Sequence, residues 1–128
     1  MEIKCVDHIT INMVNVKESF DFYENVIGLK RIKNVDMGDH ELYLYGLSDI
    51  KLELIEYKED QKHICAGNTD VGVYRHFALC VDDLEECKRR CERAGYGINM
   101  HPKYIERIGQ TVMLIKDPNG VEIEMIQA

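Results

Sequence analysis

Residues 50–57 read IKLELIEY, and residues 121–126 read VEIEMI after the turn Asp117-Pro118-Asn119-Gly120. Both alternate and are rich in β-branched and other apolar residues, the pattern of a strand. Pro presets φ, and Asn and Gly tolerate positive φ, so 117–120 reads as a turn. Within the two strands, Leu52-Glu53-Leu54-Ile55 matches Ile123-Glu124-Met125-Ile126 almost letter for letter. Glu122 and Glu124 project to one face of their strand, because side chains alternate. A carboxylate is costly to bury unless it is paired or bound to a metal. The repeat asks what these acids face.

Working outward, the rest of the chain repeats too. Asp7-His8-Ile9-Thr10-Ile11-Asn12-Met13-Val14 and Arg75-His76-Phe77-Ala78-Leu79-Cys80-Val81 alternate in the same way. Each precedes a helix start, with Asn15/Glu18 and Asp83/Glu86 spaced as capping boxes. The first helix carries Val16, Phe20, Tyr23 and Ile27 and is expected to end near Gly28. The second carries Leu84, Cys87, Cys91 and Ala94 and is expected to end at Gly95. Strands are expected over 41–45 and 50–57 in the first half. The second half has them over 104–108, 111–115 and 121–126. Strand, helix, then two or three strands, run twice, predicts an α+β fold of two modules, about 1–60 and 72–128. The segment 58–72 is the natural linker.

Composition narrows the function. At 128 residues the chain has the size of one ordinary domain, and 45% apolar with 30% charged residues is a globular balance. A net charge of −7 repels phosphate backbones and argues against nucleic acid. MEIKCVDHI has no long apolar h-region, and no run approaches the roughly 18 apolar residues of a span, so no membrane role is expected. Five cysteines (Cys5, Cys65, Cys80, Cys87, Cys91), an odd number, fit reduced thiols in a cytoplasmic protein.

Strand parity decides which side chains can converge. The apolar parity (Ile9/Ile11, Leu52/Leu54, Phe77/Leu79, Ile123/Met125) is expected to pack under helices. The opposite parity holds His8, Thr10 and Asn12; Lys51, Glu53 and Ile55; His76, Ala78 and Cys80; Glu122, Glu124 and Ile126. Two curved sheets covered on one face would leave polar-lined cups on the other. His8, Glu53, His76 and Glu124 could all point into such cups. Two imidazoles and two carboxylates suit Ni²⁺, Co²⁺ or Zn²⁺, with water completing an octahedron. A lone strand His is ordinarily a satisfied polar residue; a matched pair, each with its Glu, is not the ordinary case. His40, His63 and His101 lie in loop-like contexts and read as surface. Cys87 and Cys91 align with Leu84 and Ala94 and read as core. Cys80 could line a cup, but no basic neighbour marks it as a nucleophile. Tyr43 and Tyr45 share a face, as cup wall or as packing. Lys88-Arg89-Arg90 reads as a solvated helix face.

The whole chain resembles the vicinal oxygen chelate superfamily (the glyoxalase/bleomycin resistance/dihydroxybiphenyl dioxygenase fold), built from paired βαβββ modules. Within it the chain is most similar to small bacterial glyoxalase I, the lactoylglutathione lyases. The likeness rests on DHITI (7–11), SFDFYENVIGL (19–29), LELIE (52–56), RHFALCVDD (75–83) and DPNGVEIEMI (117–126). It implies metal ligands at His8, Glu53, His76 and Glu124, and leaves Glu122 as a solvated rim residue. It also implies a homodimer whose metal sites lie across the interface, two ligands from each chain.

The implied reaction isomerises the hemithioacetal of a 2-oxoaldehyde such as methylglyoxal into a 2-hydroxyacyl thioester, through an enediolate. A divalent metal, nickel or zinc with cobalt as a third candidate, would act as Lewis acid. A carboxylate would carry the proton, Glu124 in preference to Glu53, with the histidines as spectators. The residues that grip glutathione in that family are an Arg after the first His and an Asn after the first Glu. Here those places hold Asn12 and Tyr57, which leaves another thiol or carbonyl open. Arg75, Arg107, Lys51 and Lys103 are the cations available for a substrate. The rival readings are a methylmalonyl-CoA epimerase-like enzyme, whose relatives usually carry Gln at the Glu53 position, and a metal-free antibiotic-binding module. Extradiol dioxygenases and fosfomycin-modifying enzymes use three ligands and fit a four-residue set less well.

Overall fold

The computed structural model describes residues 1–64 and 66–128; Cys65, one of the five thiols and part of the expected linker, lies outside the described residues. The chain divides into two units, Met1–His63 and Ile64–Ala128. In the first, the alternating stretch after Asp7 forms β1 (His8–Asn12). It leads into α1 (Val16–Asp21), which ends in a π-helical turn, Phe22–Val26. Then follow β2 (Arg31–Asp36), β3 (His40–Leu47) and β4 (Ile50–Tyr57). In the second, β5 (Phe77–Val81) leads to α2 (Leu84–Ala94), then β6 (Ile98–Ile105), β7 (Gln110–Lys116) and β8 (Glu122–Gln127). Each unit is therefore a βαβββ module, and the fold is α+β with two four-stranded sheets. Their orders are β1-β4-β3-β2 and β5-β8-β7-β6. Among the described residues no helix is long and apolar enough to cross a membrane.

The expected apolar parity is the buried one. Ile11, Leu52, Leu54, Phe77, Ile123 and Met125 are all buried, and Ile9 and Leu79 half-buried. Across β3–β4, Tyr45 stands opposite Leu52 and Tyr43 opposite Leu54, so both tyrosines lie on this packed face. That resolves their role as packing. The Tyr45 hydroxyl donates to Glu24 (2.7 Å) and that of Tyr43 to Glu56 (2.8 Å). Burial, then the bond to Glu56, pushes the Tyr43 phenol up to about 12.

The first helix differs from its expected form in two respects. Its buried stripe is Ser19, Phe22, Tyr23 and Val26, with Phe20 and Ile27 only half-buried. Phe20 sits at the edge, against Tyr43 (ring centroids 4.7 Å) and under the Arg31 guanidinium (4.2 Å). The start is not a capping box either. Ser19 Oγ donates back to the Asn15 carbonyl at 2.6 Å, and the Asn15 side chain makes no cap bond. The second helix starts and stops as expected: Asp83 accepts from the Glu86 amide, and Gly95 takes the left-handed conformation (φ 81°). Cys91 is fully buried and Cys87 partly so. A thiol–thiol hydrogen bond raises the Cys91 pKa and lowers that of Cys87.

β2 and β6, each at one edge of its sheet, depart from the sequence expectation. β2 was not anticipated, and β6 runs over 98–105 where a strand was expected at 104–108. Residues 106–109 instead form a turn closed by Gly109 (φ 66°), whose amide donates to the Ile105 carbonyl. His40 opens β3 and stacks on Tyr57 (4.9 Å), so it is part of a strand and not a loop residue.

The β3–β4 hairpin turns through Ser48-Asp49, and Ser48 has φ 52°, the one non-Gly residue at positive φ among the described residues. A Cβ in that region costs about 1–2 kcal/mol, against roughly 0.5–1 kcal/mol for the extra freedom of an unfolded glycine. Ser48→Gly is therefore expected to raise stability by about 0.5 kcal/mol, read as a higher urea midpoint with unchanged slope.

Candidate metal centre

The turn 117–120 aims the acids of β8. Asp117 is buried, and its Oδ1 accepts from the backbone amides of Asn119 and Val121, both at 2.8 Å. Its Oδ2 accepts from the Asn119 side chain at 3.0 Å, and Gly120 completes the turn at φ 85°. The chain therefore enters β8 at a fixed angle, with Glu122 and Glu124 on the face away from Ile123 and Met125.

In the second unit this geometry brings two of the expected ligands together. His76 Nε2 and Glu124 Oε2 are 3.1 Å apart, with side chains 31% and 21% exposed. Glu122 is not the solvated rim residue expected from sequence. It is 6% exposed, paired with the Arg75 guanidinium, with Asn99 Nδ2 3.5 Å from its other oxygen. The reason is the cation just ahead of the neighbouring strand β5, which offsets the penalty of burial. Glu122 Oε1 also lies 3.7 Å from His76 Nδ1, a buried nitrogen with no hydrogen-bond partner among the described residues.

The first unit repeats the register with other residues. Parallel pairing sets Thr10 beside Glu53 in β1–β4, and Ala78 beside Glu124 in β5–β8. Each histidine stands two residues before that partner, diagonal to its glutamate. Thr10 donates to Glu53 Oε1 at 3.1 Å. His8 Nδ1 bonds Asp7 at 2.7 Å, and Asp7 also accepts from Lys51 at 3.1 Å. These bonds, from His8 first and then Lys51, hold the Asp7 carboxyl below its usual range. Hence Lys51 and Arg75, both read as free cations for a substrate, are each committed to an acid. Asp7 is a residue the sequence reading did not single out, and the pairing of Arg75 with Glu122 is what it missed. Laying one half over the other shows an acid–base pair at the same two places, with the signs exchanged.

The donor chemistry fits a divalent ion. Imidazole nitrogen and carboxylate oxygen are both ligands that nickel, cobalt and zinc take, and His76 and Glu124 present one of each side by side. Nδ1 of His8 is taken up by Asp7, which leaves Nε2 as its donor, the arrangement usual for a ligating imidazole. Among the described residues no three His, Cys, Asp or Glu side chains gather at one point; the second unit brings its His and Glu together, whereas in the first His8 turns to Asp7 and Glu53 to Thr10. Of the two positions tied to glutathione binding, Asn12 is exposed and Tyr57 stacks on His40. Cys80 is exposed on β5.

The profile of the Glyoxalase/Bleomycin resistance protein/Dioxygenase superfamily matches residues 6–125, and the chain belongs to that superfamily. The lactoylglutathione lyase of Neisseria meningitidis serogroup A is 29% identical over 127 residues, spanning 94% of this chain and 88% of its own. The mitochondrial methylmalonyl-CoA epimerase of Dictyostelium discoideum is 28% identical over 127 residues, spanning 94% and 76%. The crystal structure of an antibiotic binding protein from Streptomyces sp. CB03234 superposes with a TM-score of 0.75 over 99% of this chain and 98% of that one. At 19% identity it is a likeness of fold alone.

Asp117→Ala removes an acceptor that serves three donors in a buried turn. It is expected to cost about 2–3 kcal/mol of stability, measured by urea denaturation, with the fold retained by circular dichroism.

Proposed function

We propose that the protein is a metal-dependent lyase of the glyoxalase I type, converting a 2-oxoaldehyde hemithioacetal into a 2-hydroxyacyl thioester in the cytoplasm. The observation that carries this reading is the 3.1 Å approach of His76 and Glu124; the strand positions of His8 and Glu53 repeat their backbone register, though not their contact. The lactoylglutathione lyase relatives support it. Half a ligand set in each unit suits a homodimer in which His8 and Glu53 of one chain meet His76 and Glu124 of the other. Nickel or zinc suits imidazole and carboxylate donors, and cobalt is close behind.

When bound, such an ion supplies Lewis-acid stabilisation of negative charge on the substrate oxygens. The protein's own task is to move a proton between adjacent carbons. Glu124 takes it from one carbon and returns it to the next. Glu53 is tethered by the Thr10 hydroxyl, whereas the register partner of Glu124 is Ala78, which has none. Glu124 instead stands against the His76 imidazole; once that nitrogen is given to a metal, Glu124 is the less tethered carboxylate and the one suited to move. His8 and His76 hold position as neutral imidazoles.

A methylmalonyl-CoA epimerase is the second reading, favoured by the relative of nearly equal identity. It too moves a proton beside a carbonyl, so the same carboxylates would serve.

Metal analysis of the purified protein is expected to give about one nickel, cobalt or zinc per chain; none after reloading would favour a binding module. Absorbance assays with methylglyoxal plus glutathione are expected to show turnover. Turnover with methylmalonyl-CoA instead would select the epimerase. Glu124→Gln is expected to lower kcat by at least about 100-fold while retaining more metal than turnover; an unchanged kcat would exclude Glu124 as the proton carrier.

A further inference from the structure

Behind each histidine lies an acid–base pair built at matching positions with opposite polarity. In the first unit the residue before His8 is the acid, Asp7, and the residue two before Glu53 is the base, Lys51. In the second unit the residue before His76 is the base, Arg75, and the residue two before Glu124 is the acid, Glu122. Either way a carboxylate faces Nδ1, at 2.7 Å for His8 and 3.7 Å for His76. A neutral imidazole carries one proton. If Nε2 is to offer its lone pair, the proton must sit on Nδ1, and at His76 that atom is shut off from water without a partner. Glu122 needs to close by only about 0.8 Å to reach ordinary hydrogen-bond distance.

We propose that Glu122 is the positioning residue of His76: its carboxylate, held by Arg75, accepts the Nδ1 proton and presents Nε2 to the metal, as Asp7 does for His8. The inference rests on the metal reading above and adds residues that reading does not require. The Arg75–Glu122 pair is thus part of the centre and no substrate anchor. It also explains why a carboxylate is retained in a buried place where an apolar residue would cost less.

The test is metal affinity, measured by chelator competition with zinc, and the visible spectrum of the cobalt-loaded protein. Glu122→Gln keeps the shape and is expected to weaken binding 10–100-fold and to alter the cobalt bands. Arg75→Asp combined with Glu122→Lys rebuilds the polarity of the first unit and is expected to recover most of the lost affinity. Independently of any variant, nitrogen-15 NMR of the zinc-loaded wild type is expected to show the His76 proton on Nδ1. Unchanged affinity and cobalt spectrum in a folded Glu122→Gln, or a His76 that binds zinc through Nδ1, would overturn the inference and leave the metal reading standing. A wild type that takes up no metal would overturn both.

Discussion

A carboxylate with almost no contact with water needs a cation against it, and Glu122 has Arg75. Much of the second unit's polar face is arranged by that requirement. Arg75 lies just ahead of β5, so the pairing ties the approach to that strand to the start of β8. His76, the next residue, is thereby held over Glu124. The turn at 117–120 supplies the other constraint, because its buried Asp117 fixes where β8 begins.

Duplication explains the architecture and also its asymmetry. Both modules keep the same parallel pairing and the same diagonal of His and Glu. The surroundings have diverged: the Thr10 hydroxyl braces Glu53 where Ala78 offers Glu124 no bond and His76 stands against it instead, and the two ion pairs have exchanged signs. One repeated frame therefore presents two carboxylates held by different partners, a hydroxyl in one case and an imidazole in the other.

What could be read from the sequence follows the strength of each local signal. Central strands such as β4 and β8 were legible because one face is continuously apolar. Of the edge strands, β1 and β5 were legible and β2 and β6 were not. β2 (RIKNVD) is mostly charged and exposed, and β6 contains Pro102 and register shifts. Edge strands carry such features because they discourage pairing with other chains. The His and Glu positions were visible through the internal repeat. The role of Glu122 was not, because burial of an acid depends on a cation distant in sequence. The phase of the first helix was misjudged for a related reason: Phe20 is apolar, yet it is partnered at the sheet margin by Tyr43 and Arg31.

The way each sheet is closed has a consequence for how the chain folds. In both modules the first strand pairs with the last, β1 with β4 and β5 with β8. The pairings of highest sequence separation are thus the ones that complete each module, which raises contact order and slows the final step. On the ribosome, the amino-terminal strand must wait, apolar face exposed, until the whole module has emerged. A truncation that removes only β4 or only β8 therefore also strands the first strand of its module, which has no other neighbour.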